Sequence, residues 1–191
     1  MHLVLASSSR YRRELLARLN LPFEAASPDI DESASSGETP TALVQRLSLE
    51  KAAALRTRFS HHLIIGSDQV AVCDGAVLTK PGTAERAQEQ LRQQSGRTVE
   101  FLTGLALLNS ESGVHHLDIA VTRVTFRTLS EAEIVRYVAR EKPLECAGSF
   151  RSEALGISLF ESVASDDPTA LIGLPLVRLC DMLRKEGVRL P

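Results

Sequence analysis

The sequence predicts an α/β protein with a mixed β-sheet flanked by helices. Apolar runs of strand length, His2–Ala6 and Leu63–Val72, alternate with segments of helical period. Asp74-Gly75 reads as a hairpin turn, and Val99–Leu108 and Val114–Phe126 read as long antiparallel strands joined by Asn109–Gly113. Strand–helix alternation beside hairpins makes a mixed sheet, not a purely parallel one.

Each element has a local reason. His2–Ala6 is apolar at consecutive positions, as a buried strand is. Arg10–Leu19 carries Leu15, Leu16 and Leu19 on one helical face, with Ser8 or Ser9 as its cap. Residues 27–38 are acidic and serine-rich and read as a loop. Thr39 then caps a helix with Pro40 at its first position; the helix runs to about Arg58, with Leu43, Leu47 and Ala54 inward. Lys80-Pro81-Gly82 is a loop ahead of a helix over Ala84–Gln93. Ser130 and Glu133 form a capping box for a helix ending near Arg140. Pro143–Ile157 is irregular, Leu159–Val163 is a short strand, and Leu174–Lys185 is the last helix, closed by Gly187. No internal repeat and no clear linker interrupts the chain, which reads as a single domain over 1–191.

Composition narrows the function classes. A hydrophobic content of 43% and a charged content of 24% suit a normal globular core. The net charge of −2 argues against a broad nucleic-acid-binding surface, so any phosphate site must be local. No apolar run is long enough to span a membrane, and the start of the chain lacks the pattern of a secretory signal. Cys73, Cys146 and Cys180 are far apart and odd in number, which fits neither a disulfide framework nor a zinc site. A reducing cytoplasm is the expected setting.

Two segments carry the chemistry. Leu3-Val4-Leu5-Ala6-Ser7-Ser8-Ser9-Arg10-Tyr11-Arg12-Arg13 runs from a strand through serines into an arginine-rich helix start. Unpaired N–H groups and a partial positive charge at a helix N-terminus favour anions, and guanidinium forks match phosphate oxygens. In Ile64-Ile65-Gly66-Ser67-Asp68-Gln69-Val70 an aspartate follows five apolar or small residues, Leu63–Ser67. Asp68 can coordinate Mg²⁺, accept a proton from water, or do both. Asp29, Asp31 and Glu32 form an acidic loop of the kind that offers oxygen ligands to hard cations. Lys51 and Lys80 are point charges suited to phosphate. The P-loop, GxGxxG, HExxH and GxSxG signatures are absent. His61-His62 and His115-His116 are neighbours whose side chains point apart, and they read as surface residues.

Taken in order, Leu5–Arg13, Asp31-Glu32, Glu50-Lys51-Ala52, Gly66-Ser67-Asp68 and Lys80-Pro81 resemble the motifs of Maf-like nucleoside triphosphate pyrophosphatases, along essentially the whole chain. The resemblance implies hydrolysis of a nucleoside triphosphate to monophosphate and pyrophosphate with a divalent cation, Mg²⁺ or Mn²⁺. It implies an elongated mixed sheet with two lobes around a cleft, like inosine triphosphate pyrophosphatases, and it suggests a homodimer. It assigns proton acceptance to Asp68, triphosphate contacts to Ser7, Arg12, Arg13, Lys51 and Lys80, and metal ligation to Glu32 and Asp68. Ser67–Val70, Cys146–Glu153 and Leu171–Leu176 are similar to the branch that acts on 7-methyl-GTP, whose specificity positions map onto Tyr11, Gln69 and Glu153.

That trio makes physical sense. N7-methylation makes guanine cationic, and an aromatic face attracts a cation by roughly 0.5–2 kcal/mol. A carboxylate accepts the two N–H donors of the guanine edge and repels the carbonyl of thymine or uracil. The branch often has tryptophan where this chain has Tyr11, a weaker cation–π face. Two other readings remain: a dTTP/UTP or broad-range pyrophosphatase, and a nucleotide-binding regulator, since the family is linked to cell division. Asp68 speaks against a pure binding module, because it sets negative charge beside a polyanion.

Overall fold

Residues 3–6 can be apolar at every position because both faces of their strand are covered. The computed structural model describes residues 2–191. A seven-stranded sheet has the order β2-β1-β3-β5-β6-β7, with β4 added to β3. Its strands are β1 (His2–Ala6), β2 (Phe23–Ala26), β3 (His62–Cys73), β4 (Ala76–Leu78), β5 (Thr98–Asn109), β6 (His115–Phe126) and β7 (Phe160–Ser165). The helices are α1 (Arg10–Ala17), α2 (Pro40–Ala54), α3 (Ala84–Gln94), α4 (Glu131–Glu141) and α5 (Leu176–Lys185). The chain divides into two compact units. The first comprises Met1–Gln69, Thr103–Ala120 and Asp167–Pro191; the second comprises Val70–Leu102 and Val121–Asp166.

In the first unit β1 pairs in parallel with β2, Leu3 opposite Phe23, and with β3, Val4 opposite Ile64. The two-residue period of the strands sorts their side chains to two faces. Leu3, Leu5, Leu63, Ile65, Leu105 and Leu107 meet Leu15 and Leu16 of α1 and Leu179, Met182 and Leu183 of α5. Val4, Ala6, Ile64 and Leu108 meet Ala52 and Leu55 at the end of α2. In the second unit β3 and β4 form a hairpin through Asp74 and Gly75, both at positive φ, and α3 packs on α4. Here the core is aromatic. Phe150 meets Phe101, Phe126 and Phe160 edge to face, with ring centroids 4.9–5.4 Å apart.

Most expected elements are present, with informative departures. Strand β2 was not expected from the sequence; only Ala26 in it is buried, and its conformation follows from pairing with β1. Helix α2 stops at Ala54, four residues short of the expected end. Leu55 caps it, so Leu55 is buried and Ala54 exposed. Helix α5 begins at Leu176, not Leu174, because the Thr169 hydroxyl accepts from Leu176 N and donates to Leu174 O. Leu19, His62 and Cys180 are half-buried. His116 is not a free surface residue, since its Nε2 lies 2.7 Å from Glu186 Oε1.

Candidate active site

The centre of the first unit is built by bringing α2 unusually close to the sheet. Side chains at two strand positions would forbid it. A Cβ on Gly66 would lie 2.0 Å from the Ser48 carbonyl oxygen, and one on Gly104 2.4 Å from that of Val44. With glycine at both, Ser48 Oγ reaches the sheet and accepts from Asp68 N at 3.0 Å. One turn further, Lys51 Nζ donates to Asp68 Oδ1 at 2.6 Å. Both side chains are buried, Lys51 at 5% and Asp68 at 8% residual exposure, so the pair is a largely desolvated one.

Lys51 Nζ also lies 2.9 Å from Glu32 Oε1. Glu32 stands in the acidic segment, as expected, and that segment is tethered to α2. Arg46 Nη2 donates to Ser33 O at 3.0 Å, and Arg46 Nε to Glu38 Oε1 at 2.7 Å. The Arg46 hydrogen bond is the main reason that the Glu38 carboxyl titrates at about 2. Ser33 holds the Asp31 carboxyl below its ordinary range, through its side chain first and then through its backbone N–H, which donates to Asp31 Oδ1 at 2.9 Å. Asp29 is exposed.

The serine-arginine segment closes on the same centre. Ser9 is the cap of α1 and accepts from Arg12 N. Ser7 is buried at the end of β1 and accepts from Ser9 N at 3.1 Å. Arg12 Nε donates to Gly173 O at 2.8 Å. Burial pushes the pKa of Arg12 down, and the charges of Asp68 and Glu32 oppose that shift. Arg13 is exposed. Tyr11 is half-buried, and the Arg10 guanidinium stands 4.7 Å from its ring centroid. Arg12, Glu32, Lys51 and Asp68 therefore form one charge cluster: two cations against two carboxylates.

Gln69, next in the chain to Asp68, has its Nε2 close to Thr103 Oγ1 at 2.8 Å and to Ala170 O at 3.0 Å. Lys80 and Glu153 belong to the second unit, and both are exposed. Lys80 Nζ is 3.9 Å from Glu145 Oε2. Both residues bear on Cys146, whose thiol is pushed up by burial first and Glu153 second, with Lys80 opposing. Residues that sequence reasoning passed over are Ser48, Thr103 and Gly104, while Gly66 and Gly173 entered only as parts of longer motifs. One signal for Ser48 was available: it precedes Lys51 by one helical turn and shares its face.

A mixed seven-stranded sheet flanked by helices defines an α/β protein, and its fold resembles that of a HAM1 protein from Coxiella burnetii. The two share 16% identity with a TM-score of 0.51, over 97% of this chain and 99% of the other. The chain belongs to the Maf-like protein family, whose model matches residues 2–186. It is 60% identical over 189 residues to the 7-methyl-GTP pyrophosphatase of Pseudomonas aeruginosa and 61% identical to that of Pseudomonas putida, covering 99% of this chain and 98% of each relative. A 7-methyl-GTP pyrophosphatase from a Polaromonas species is 55% identical over 98% of this chain and 86% of that relative. Among the described residues no helix is long and apolar enough to cross a membrane, and all three cysteines are free thiols.

Proposed function

We propose that this chain hydrolyses 7-methyl-GTP to 7-methyl-GMP and pyrophosphate, a house-cleaning reaction that removes a modified nucleotide in the cytoplasm. About 60% identity, end to end, to proteins named for that reaction supports the substrate. The observation that carries the chemistry is the buried Lys51–Asp68 pair beside Arg12. Arg12, Arg13 and Lys51 neutralise the triphosphate, with Ser7 at the strand end as a further contact. Lys51 holds Asp68 Oδ1, leaving Oδ2 to accept the proton of the attacking water. Water oxygen bonds to the α-phosphorus, the bond from that phosphorus to the bridging oxygen breaks, and pyrophosphate leaves. Fixed charges aimed at the developing negative charge supply most of the rate in such sites.

The residues present fit a divalent cation. Glu32 and Asp68 converge on a single cation, the Lys51 ammonium. Magnesium commonly takes one or two carboxylates and completes its shell with water and substrate phosphates. Among the described residues no group of three or more His, Cys, Asp or Glu side chains could hold a metal, so Glu32 and Asp68 would be the protein's share. Bound there, Mg²⁺ or Mn²⁺ would polarise phosphate oxygens.

Tyr11 supports recognition of a cationic base, because its ring already faces a guanidinium, that of Arg10. The test is pyrophosphate release from 7-methyl-GTP, GTP, UTP and dTTP with Mg²⁺ or Mn²⁺. Wild type is expected to favour 7-methyl-GTP, and Asp68→Asn to bind nucleotide with turnover nearly abolished. Preference for UTP or dTTP would overturn the base reading. Binding without release from any nucleotide would make the chain a nucleotide-binding regulator.

A further inference from the structure

The Gln69 amide is held by its nitrogen end. Nε2 donates to Thr103 Oγ1 at 2.8 Å and lies 3.0 Å from Ala170 O and 3.2 Å from Leu171 O. The two hydrogens of an amide nitrogen are spent on these three oxygens. The partners also fix which end is which. Turned about, the amide would set Oε1 against two carbonyl oxygens with no hydrogen between them. Thr103 adds to this polarity. It is buried, and its hydroxyl donates to Ala170 O at 3.0 Å, so a lone pair is what it turns toward Gln69. The carbonyls are themselves held in place. Ala170 N donates to Asp167 O at 3.1 Å, and the buried Asp167 carboxylate accepts from Thr169 N at 3.2 Å and from Val177 N at 2.9 Å.

The oxygen end is open. Gln69 is half-buried, and among the described residues its Oε1 neither takes a hydrogen bond nor belongs to the buried polar atoms that lack one, so it reaches solvent. A free glutamine amide offers N–H or C=O by turning over, and so reads donors and acceptors alike. A pinned amide offers C=O only. Guanine shows such an acceptor two adjacent N–H donors. Uracil shows it one N–H between two carbonyl oxygens, which repel it.

We propose that Thr103 is a positioning residue for base selection. With the Ala170 and Leu171 carbonyls it pins the Gln69 amide so that Oε1 alone faces the base, and the site accepts the guanine edge and rejects uracil. The inference rests on the reading of the chain as acting on a guanine nucleotide, with Gln69 at a specificity position, and adds what gives that glutamine its polarity.

Nucleoside monophosphates report the base without an anhydride to cleave, and inorganic tripolyphosphate reports the phosphate contacts without a base. Binding of GMP, UMP and tripolyphosphate is measured by calorimetry on wild type, Thr103→Ser, Thr103→Val, Gln69→Met and the double variant of the last two, with thermal melts to check folding. Thr103→Val should lower the GMP over UMP affinity ratio about 5-fold, the scale of one neutral hydrogen bond. Thr103→Ser, which keeps the hydroxyl, should keep the wild-type ratio. Tripolyphosphate affinity should stay as in wild type in both, and kcat/KM for GTP over UTP should follow the binding ratio. In the Gln69→Met background Thr103→Val should leave the ratio where it stands, because the amide it orients is gone. An unchanged ratio in Thr103→Val would overturn the proposal, as would an equal fall without the Gln69 amide. A loss of tripolyphosphate as large as the loss of GMP would overturn it too, and make Thr103 a brace for the whole site. If Thr103→Val does not fold, Thr103→Ala, which also removes the hydroxyl, decides in its place. A wild type that prefers GMP to UMP yet cleaves no triphosphate defeats the proposed reaction, while the variants still decide this inference. A wild type with no preference between the bases defeats both.

Discussion

Asp68 is held from two sides, by Ser48 at its backbone N and by Lys51 at its carboxylate. Breaking a buried pair from one side leaves a charge without compensation, which typically costs 3–5 kcal/mol, whereas removing both charges costs far less. Lys51→Met should therefore lower unfolding stability by about 3 kcal/mol, and adding Asp68→Asn should restore much of it. Urea unfolding of the two single variants and the double variant measures the coupling; additive losses would show that the pair is not a unit. Tyr11 is the other single residue with a readable consequence. If its ring takes the cationic base, Tyr11→Leu should lower the 7-methyl-GTP over GTP preference by about 2- to 30-fold, the range of a cation–π contact. An unchanged ratio of kcat/KM values would remove Tyr11 from base recognition.

At the scale of elements, what was legible in the sequence was local chemistry. Thr39 with Pro40 starts α2, Asp74-Gly75 turns β3 into β4, and Ser130 with Glu133 opens α4. Each signal lies within four residues of the structure it makes. Strand β2 was illegible because its cause lies in β1, and the end of α2 because an apolar pattern continues to the buried Phe59 after the helix has stopped. The capping box also carries a pH prediction. Hydrogen bonds from Ser130 N–H and hydroxyl, then from Arg127, lower the Glu133 carboxyl from 4.5 to about 2. A depressed carboxylate contributes stability in full above its unfolded pKa, and the contribution fades as pH falls toward the folded value. Glu133→Gln should thus melt below wild type at neutral pH, and the gap should close between about pH 4.5 and about pH 2. Thermal melts across that interval check it, and a gap independent of pH would assign the loss to packing.

At the scale of the whole molecule, residues far apart in the chain meet because β1 and β3 are parallel neighbours and α2 lies on them. The family motifs pointed to Arg12, Glu32, Lys51 and Asp68 as types, but the convergence of Glu32 and Asp68 on the Lys51 ammonium is a tertiary fact. Ser48 and Thr103 escaped because an uncharged serine and a strand threonine have no sequence signature of their own. That assembly sits in the first unit, so a ligand bound there should stabilise the chain it organises. A ligand that binds only the folded state adds about 2.7 kcal/mol at a hundredfold excess over Kd. For a chain of this length each kcal/mol is worth roughly 2–4 °C. Asp68→Asn protein, which is expected to bind without turnover, should therefore melt about 5–10 °C higher with saturating 7-methyl-GTP. Tripolyphosphate should raise the transition through the triphosphate contacts, Arg12 and Lys51 among them, with no base involved. The difference between 7-methyl-GTP and GTP at equal concentration then reports the cationic base. Equal shifts for those two nucleotides would place all recognition in the triphosphate, and the selectivity would have to arise in the transition state instead.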